Sequence, residues 1–204
     1  MNISKVFSTA IFATTMVISA NASASLMTVA TRTIDNAAMI DSSDFISSWN
    51  SQSSTVTTNA IDAFELYKTG NNTINHFSVD FTIGATGTWG VEAGLDAHYG
   101  AALYLDGLLL TNRSDDLWWS TDWANSDVMK AHDIDISVGS HLLEIYWAES
   151  CCNGPSTVRF TNDGQNWDVM SKESIAAAVP APSALAIFGI GLIGFGLRRK
   201  NNNA

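Results

Sequence analysis

Two cysteines stand side by side in Cys151-Cys152-Asn153-Gly154-Pro155, and the 204-residue chain has no others. In an exported protein cysteines normally pair across the fold. Adjacent cysteines pair with each other, with another molecule, or not at all. The Asn-Gly-Pro that follows is turn chemistry, which places the pair at a loop tip within reach of a ligand. A purely structural clip of that loop is the competing reading. Metal binding by Cys151 and Cys152 alone is disfavoured, because no third cysteine and no well-spaced histidine pair completes a tetrahedral set. Glu149, two residues upstream, and Asn153, inside the turn, are the polar groups placed to act beside the pair.

A second constellation runs from Asp115 to Asp127 as Asp-Asp-Leu-Trp-Trp-Ser-Thr-Asp-Trp-Ala-Asn-Ser-Asp. Tryptophan faces stack on the C–H surfaces of sugar rings, and nearby carboxylates and amides accept hydroxyl hydrogen bonds. Trp118, Trp119 and Trp123 are the candidate platform. Carboxylate and amide oxygens also suit calcium, which makes Asp115 and Asp116, with Asp96 in another loop, candidate ligands. The spacing does not reproduce the alternating ligand order of an EF-hand. In the competing reading Trp118 or Trp119 packs into the core and the acids are simply solvated.

Little else points to catalysis. His76, His98, His132 and His141 are scattered, and neither a Gly-x-Ser-x-Gly elbow, a His-Glu-x-x-His pair nor a phosphate-cradling glycine loop is present. A carboxylate pair for glycoside hydrolysis is invisible in sequence; Glu92, Glu144 and Glu149 are the acids to try.

The elements that must position these groups read as β-structure. The chain is 46% hydrophobic but only 15% charged, enough for one real core. Residues 25–176 hold six of the basic residues and all twenty acids, a formal −14 that disfavours a nucleic-acid partner. Phe77 to Ile83 alternates strictly, burying Phe77, Val79, Phe81 and Ile83 on one face. Thr88 to Ala93 follows a Gly-rich turn. Ala101–Leu105 and Leu108–Thr111 flank Asp106-Gly107, a strong hairpin signal. Ile134–Val138 and His141–Trp147, around Gly139-Ser140, are expected as a second hairpin. Val158–Phe160 and Trp167–Met170 close the set. Residues 34–49 have no clean period and are expected as loop with one short helix. The whole predicts an all-β fold, an antiparallel β-sandwich.

The two ends read as addresses. Lys5, the apolar run Val6–Ile18 and the small-x-small sites near Ala24 make residues 1–24 a secretory signal peptide, expected to meet signal peptidase. At the other end, Val179-Pro180-Ala181-Pro182-Ser183 precedes the apolar run 184–197 and the basic cluster Arg198-Arg199-Lys200. Prolines halt the preceding structure, and the basic cluster stays on the cytoplasmic side. Residues 177–204 are thus expected as a hydrophobic segment that enters the membrane and, as the resemblance below implies, as a sorting helix inserted only transiently. In its order of parts this tail resembles the PEP-CTERM sorting signal of Gram-negative bacteria that make extracellular polysaccharide, with Ala181 in place of the central Glu. The resemblance implies recognition by an exosortase, removal of the tail and a cell-surface or matrix location; unprocessed, the protein stays membrane-anchored.

Two further resemblances concern the middle of the chain. The run from Gly94 to Gly107, Gly-Leu-Asp-Ala-His-Tyr-Gly-Ala-Ala-Leu-Tyr-Leu-Asp-Gly, is similar to the hallmark of protective-antigen and flocculin-type (GLEYA) lectin sandwiches. Ser137 to Trp147 is similar to that family's strand after a Gly turn. Sugar-binding members hold calcium on adjacent aspartates; the equivalent pair here is Asp96-Ala97, with one acid. The Cys-Cys-x-Gly run with this tail resembles the CCXG group of exported bacterial proteins, a likeness that brings no activity with it. The function expected is a non-catalytic carbohydrate-binding module facing extracellular polysaccharide. A structural matrix protein without a ligand and a polysaccharide hydrolase are the rivals.

Overall fold

The computed structural model of the protein describes residues 26–178. The expected signal peptide and nearly all of the sorting segment, including Val179, Pro180, Pro182 and the Arg198–Lys200 cluster, lie outside the described residues. Twelve strands and two short α-helices follow in the order β1 (Met27–Thr33), α1 (Phe45–Ser51), β2 (Thr57–Ala60), β3 (Thr73–Ile83), β4 (Gly87–Gly94) and β5 (Asp96–Ala97). Then come β6 (Ala101–Leu105), β7 (Leu108–Arg113), β8 (Leu117–Trp118), β9 (Met129–Ile136), β10 (Gly139–Glu149), β11 (Thr157–Thr161), β12 (Asp168–Val169) and α2 (Lys172–Ala178).

Six strands form one sheet in the order β2-β1-β3-β10-β6-β7, four form a second as β12-β11-β4-β9, and β5 and β8 pair as a short two-stranded ribbon. Every pairing is antiparallel. The inward residues of both sheets make one core. Phe77, Val79 and Phe81 of β3 and Leu143, Ile145 and Trp147 of β10 meet Trp89 and Val91 of β4 and Phe160 of β11. An aromatic contact ties the two layers, with Phe81 stacked on Trp89 at 5.3 Å, and Trp89 stacks in turn on Phe160 of its own sheet at 5.1 Å. This is the expected sandwich, and the alternating run 77–83 lies in its centre.

The six-stranded sheet is also covered on its outer face. Ile74, Ala102, Tyr104, Tyr146 and Ala148 pack there against Phe45 of α1 and Ile34. Asp44 caps α1, accepting the Ser47 N–H at 2.9 Å. Residues 34–49 thus contain the expected short helix, preceded by a single 3-10 turn at Ala37–Met39.

One pairing differs from expectation. Ile134–Val138 and His141–Trp147 do not form a hairpin, because β9 belongs to the four-stranded sheet and β10 to the six-stranded one. Ile134 and Ile136 face the core from one layer, and Leu143 and Ile145 face it from the other. The chain therefore arches across the edge of the sandwich at residues 137–138, with Gly139 at φ 139°. The Asp106-Gly107 hairpin is as expected: both residues have positive φ, 53° and 76°, as a type I′ turn requires.

Candidate functional site

Four loops converge at one end of the sandwich. They are the segment 66–72, the β4–β6 connection with Asp96 and His98, the excursion 114–128, and the β10–β11 loop that carries Cys151-Cys152. Cys151 and Cys152 are joined in a disulfide and both are exposed. Cys152 and Asn153 have positive φ, 80° and 47°, which turns the chain back sharply after the pair. Asn153 holds the turn, its Oδ1 accepting the Gly70 N–H at 2.7 Å. Asn72 N–H donates to the Ser150 carbonyl at 3.0 Å from the same neighbouring segment.

Gly154 explains why the Cys-Cys-x-Gly run ends in glycine. A Cβ there would collide with the Trp118 ring and with Asp96 Oδ2. Instead the Gly154 N–H donates directly to Asp96 Oδ2, and the Trp118 indole lies against the bare α-carbon. Trp118 remains 44% exposed, and Leu66 on the adjacent segment 55%. The exposed indole and disulfide therefore border a polar floor.

That floor is a carboxyl pair. Glu149, only 3% exposed, accepts the His98 N–H on Oε2 at 3.0 Å and the Cys151 N–H on Oε1 at 2.7 Å. Burial, with the adjacent Asp96 carboxylate, pushes the Glu149 carboxyl above its usual range. Asp96 also receives the loop from the other side, its own N–H donating to Ser156 Oγ at 3.2 Å. The two acids read from separate stretches of sequence thus meet beneath Cys151-Cys152. They act first as anchors for the backbone of the loop.

The three tryptophans of the 114–128 excursion are dispersed. Trp118 faces the loop end. Trp119 is 2% exposed, donates from Nε1 to the Pro155 carbonyl at 2.7 Å, and covers Gly94, where no Cβ would fit. It braces the loop and presents no stacking face, so the three-indole platform is corrected to Trp118 here. Trp123 packs tilted against Trp119, ring centres 4.7 Å apart and planes at 54°, and lies over the Arg159 guanidinium at 4.1 Å, on the outer face of the four-stranded sheet.

The acids of the excursion are bound into its own turns. Asp115 pairs with Arg113, Asp122 accepts the Ala124 N–H, and Asp127 accepts the Trp118 N–H at 3.2 Å. Asp116 stands 3.7 Å from His98 Nδ1. Asp96, Asp115 and Asp116 are each held by different partners, and no cluster of three or more His, Cys, Asp or Glu side chains fit for a metal occurs among the described residues. The carboxylates nominated for hydrolysis are also apart: Glu92 lies on the outer face of the four-stranded sheet, whereas Glu144 bonds His76 and Tyr146 on the outer face of the other. Leu66 and the Gly70–Asn72 turn, which complete the loop end, gave no signal in sequence, because residues 61–72 lack any period.

Comparison with known proteins places this geometry. Residues 178–200 match the PEP-CTERM protein-sorting motif. No curated protein matches the chain significantly in sequence. Among solved structures, the PA14 sugar-binding domain from an RTX adhesin is similar, with TM-score 0.51, 6% identity, and 72% of this chain and 96% of that one covered. An anti-sigma factor domain-containing protein gives TM-score 0.50 at 8% identity, over 74% of this chain and 47% of that one. The PA14 domain of the MpAFP antifreeze protein gives 0.49 at 11% identity, over 72% and 87%. The fold is that of a PA14-type sandwich, and the chain ends in an exosortase-sorting motif.

Proposed function

We propose that the protein is an exported, exosortase-sorted surface module that binds carbohydrate without catalysis, at the loop end built from Trp118, Cys151-Cys152, Asn153, Asp96 and Glu149. The observation that carries the reading is the half-exposed Trp118 indole seated on Gly154 beside the exposed disulfide, with polar groups anchored below it. An indole face and an adjacent rigid apolar tip suit the C–H surface of a pyranose. The likeness of the sandwich to a sugar-binding PA14 domain supports this reading, as does the sorting motif, which suits a protein destined for a polysaccharide-rich surface. The likeness to GLEYA-type lectins and to the CCXG group belongs to the same proposal.

We expect calcium to have no part in the proposed site, because Asp96 Oδ2 and both Glu149 carboxyl oxygens already accept backbone N–H groups. Chelator is therefore expected to leave sugar binding unchanged; binding abolished by chelator and restored by calcium would contradict this. In the same proposal residues 1–24 are a cleaved signal peptide and the segment from Val179 is removed by exosortase, Ala181 notwithstanding. Intact mass of the protein from its native cell surface, with and without reductant and alkylation, tests processing and disulfide together. Retention on an immobilised panel of neutral and acidic oligosaccharides tests the function itself. Specific, saturable retention is expected, and no retention on any glycan sinks the reading.

A further inference from the structure

The outer face of the four-stranded sheet carries a second built surface that the loop end does not use. Glu92 lies at its centre on β4, its side chain 5% exposed and clamped by neighbours on both adjoining strands. Arg159 on β11 donates from Nε to Glu92 Oε2 at 2.8 Å, and His132 on β9 meets Oε1 at 3.0 Å. The guanidinium is itself held between two indoles, Trp123 at 4.1 Å and Trp167 at 4.9 Å. Trp167 continues to His132, ring centre to ring centre 5.4 Å. Gly90 makes room for this row, since a Cβ there would stand 3.0 Å from both Trp167 Cη2 and Thr161 Cγ2.

Beside the Trp167–His132 end opens a cavity of about 580 Å³, floored by Gly90 and Glu92 and rimmed by Asp133, Asn162 and Asp163. That size falls within the range of small-ligand sites, roughly 300–1,000 Å³. Its chemistry is aromatic on one wall and hydrogen-bonding on the others. The rim excludes anions: Asp163 is held far below the usual carboxylate range by the Asn166 and Gln165 N–H groups, and so stays ionised. The one guanidinium nearby is already spent on Glu92.

We infer that this groove is a second glycan site, taking a neutral pyranose that lies against Trp167 and His132 with its hydroxyls bonding the exposed Asp133–Asn162–Asp163 rim, while the clamped Glu92 holds His132 and Arg159 in place. Two sites on different faces of one sandwich would let a single module bridge glycan strands. The inference is independent of the loop end, and its test separates the two. The full chain is titrated with neutral tri- and tetrasaccharides of glucose, galactose, mannose and N-acetylglucosamine, and with a uronic-acid oligomer, while amide and indole N–H resonances are followed by NMR.

Saturable shifts at Gly90, Thr161 and the Trp167 indole are expected, retained in Trp118→Ala and weakened at least tenfold in His132→Ala. Asn162→Ala, on the opposite rim, serves as a second variant if His132→Ala loses its fold. Shifts confined to Gly154 and Trp118 overturn the groove and leave the loop end standing. Shifts in the groove alone support the inference while the loop-end reading falls. No shift with any neutral sugar, or preference for the uronic-acid oligomer, overturns the inference.

Discussion

Gly154 and Glu149 show what single residues contribute at the loop end. Gly154→Ala would force the Trp118 ring and Asp96 apart, and we expect it to weaken glycan binding while the core strands remain intact by circular dichroism. Glu149 makes its contribution through protonation. Its raised folded-state pKa means that the folded protein holds a proton there that the unfolded chain releases near 4.5. As pH climbs from 4.5 through the raised value, two adjacent carboxylates form in a buried spot and stability falls. Glu149→Gln should flatten Tm against pH across that window; an unchanged slope would show that the pair does not share this burden. The cysteine pair, Asn153 and both acids were legible as residue types that fit a site. Nothing local in the sequence links Asp96 to Glu149, which lie 53 positions apart, so their meeting is visible only in the fold. The fate of Trp119 was hidden for a different reason. Adjacent tryptophans look alike in sequence, and only the missing Cβ at Gly94 decides which one lies down on the sheet.

At the scale of elements, strands with one buried face were easy to read and strands with two were not. β3 alternates because its outward residues beyond His76 meet solvent or half-solvent. β6 is buried throughout, covered by the core on one side and by α1 on the other, so only its hairpin turn betrayed it. The arch between β9 and β10 mimicked a hairpin because two inward-facing alternations joined by a glycine look the same whether they share a sheet or face across a core.

The Asp106 turn is pinned to β10. Asp106 accepts the Leu142 N–H at 2.9 Å and meets His141 Nδ1 at 2.8 Å, while His141 Nε2 meets the Ser137 carbonyl at 2.8 Å. Both ring nitrogens thus face acceptors, which calls for the doubly protonated ring. Burial opposes that charge, but Asp106 and Ser137 outweigh it and raise the His141 pKa; burial likewise opposes the Asp106 charge, which His141 and Leu142 nonetheless stabilise. The pair's stabilisation is complete between about 3.8 and 6.5, and is lost as pH rises through the raised His141 value or falls through the lowered Asp106 value. Asp106→Ala should cost about 1–3 kcal/mol in denaturant unfolding near pH 5, and less above the His141 titration. Phe45→Ala, which empties the anchor of α1, should cost about 3–5 kcal/mol.

For the whole molecule, the division of labour follows the sequence of parts. A sandwich with its two layers locked by aromatic stacking supports loops that need not fold by themselves. α2 closes the described domain with Ile175 in the core, and the sorting motif begins at its last turn, residue 178. The acidic balance of residues 25–176 keeps the surface soluble and turns away polyanions. In the function we propose, Trp118 on its glycine seat is the stacking face of a glycan site. Calorimetric titration of the wild-type protein and Trp118→Ala with an oligosaccharide retained on the glycan panel tests it most directly. We expect an affinity at least tenfold weaker in the variant, about 1.4 kcal/mol, at unchanged Tm. Equal affinity in the two proteins would contradict it.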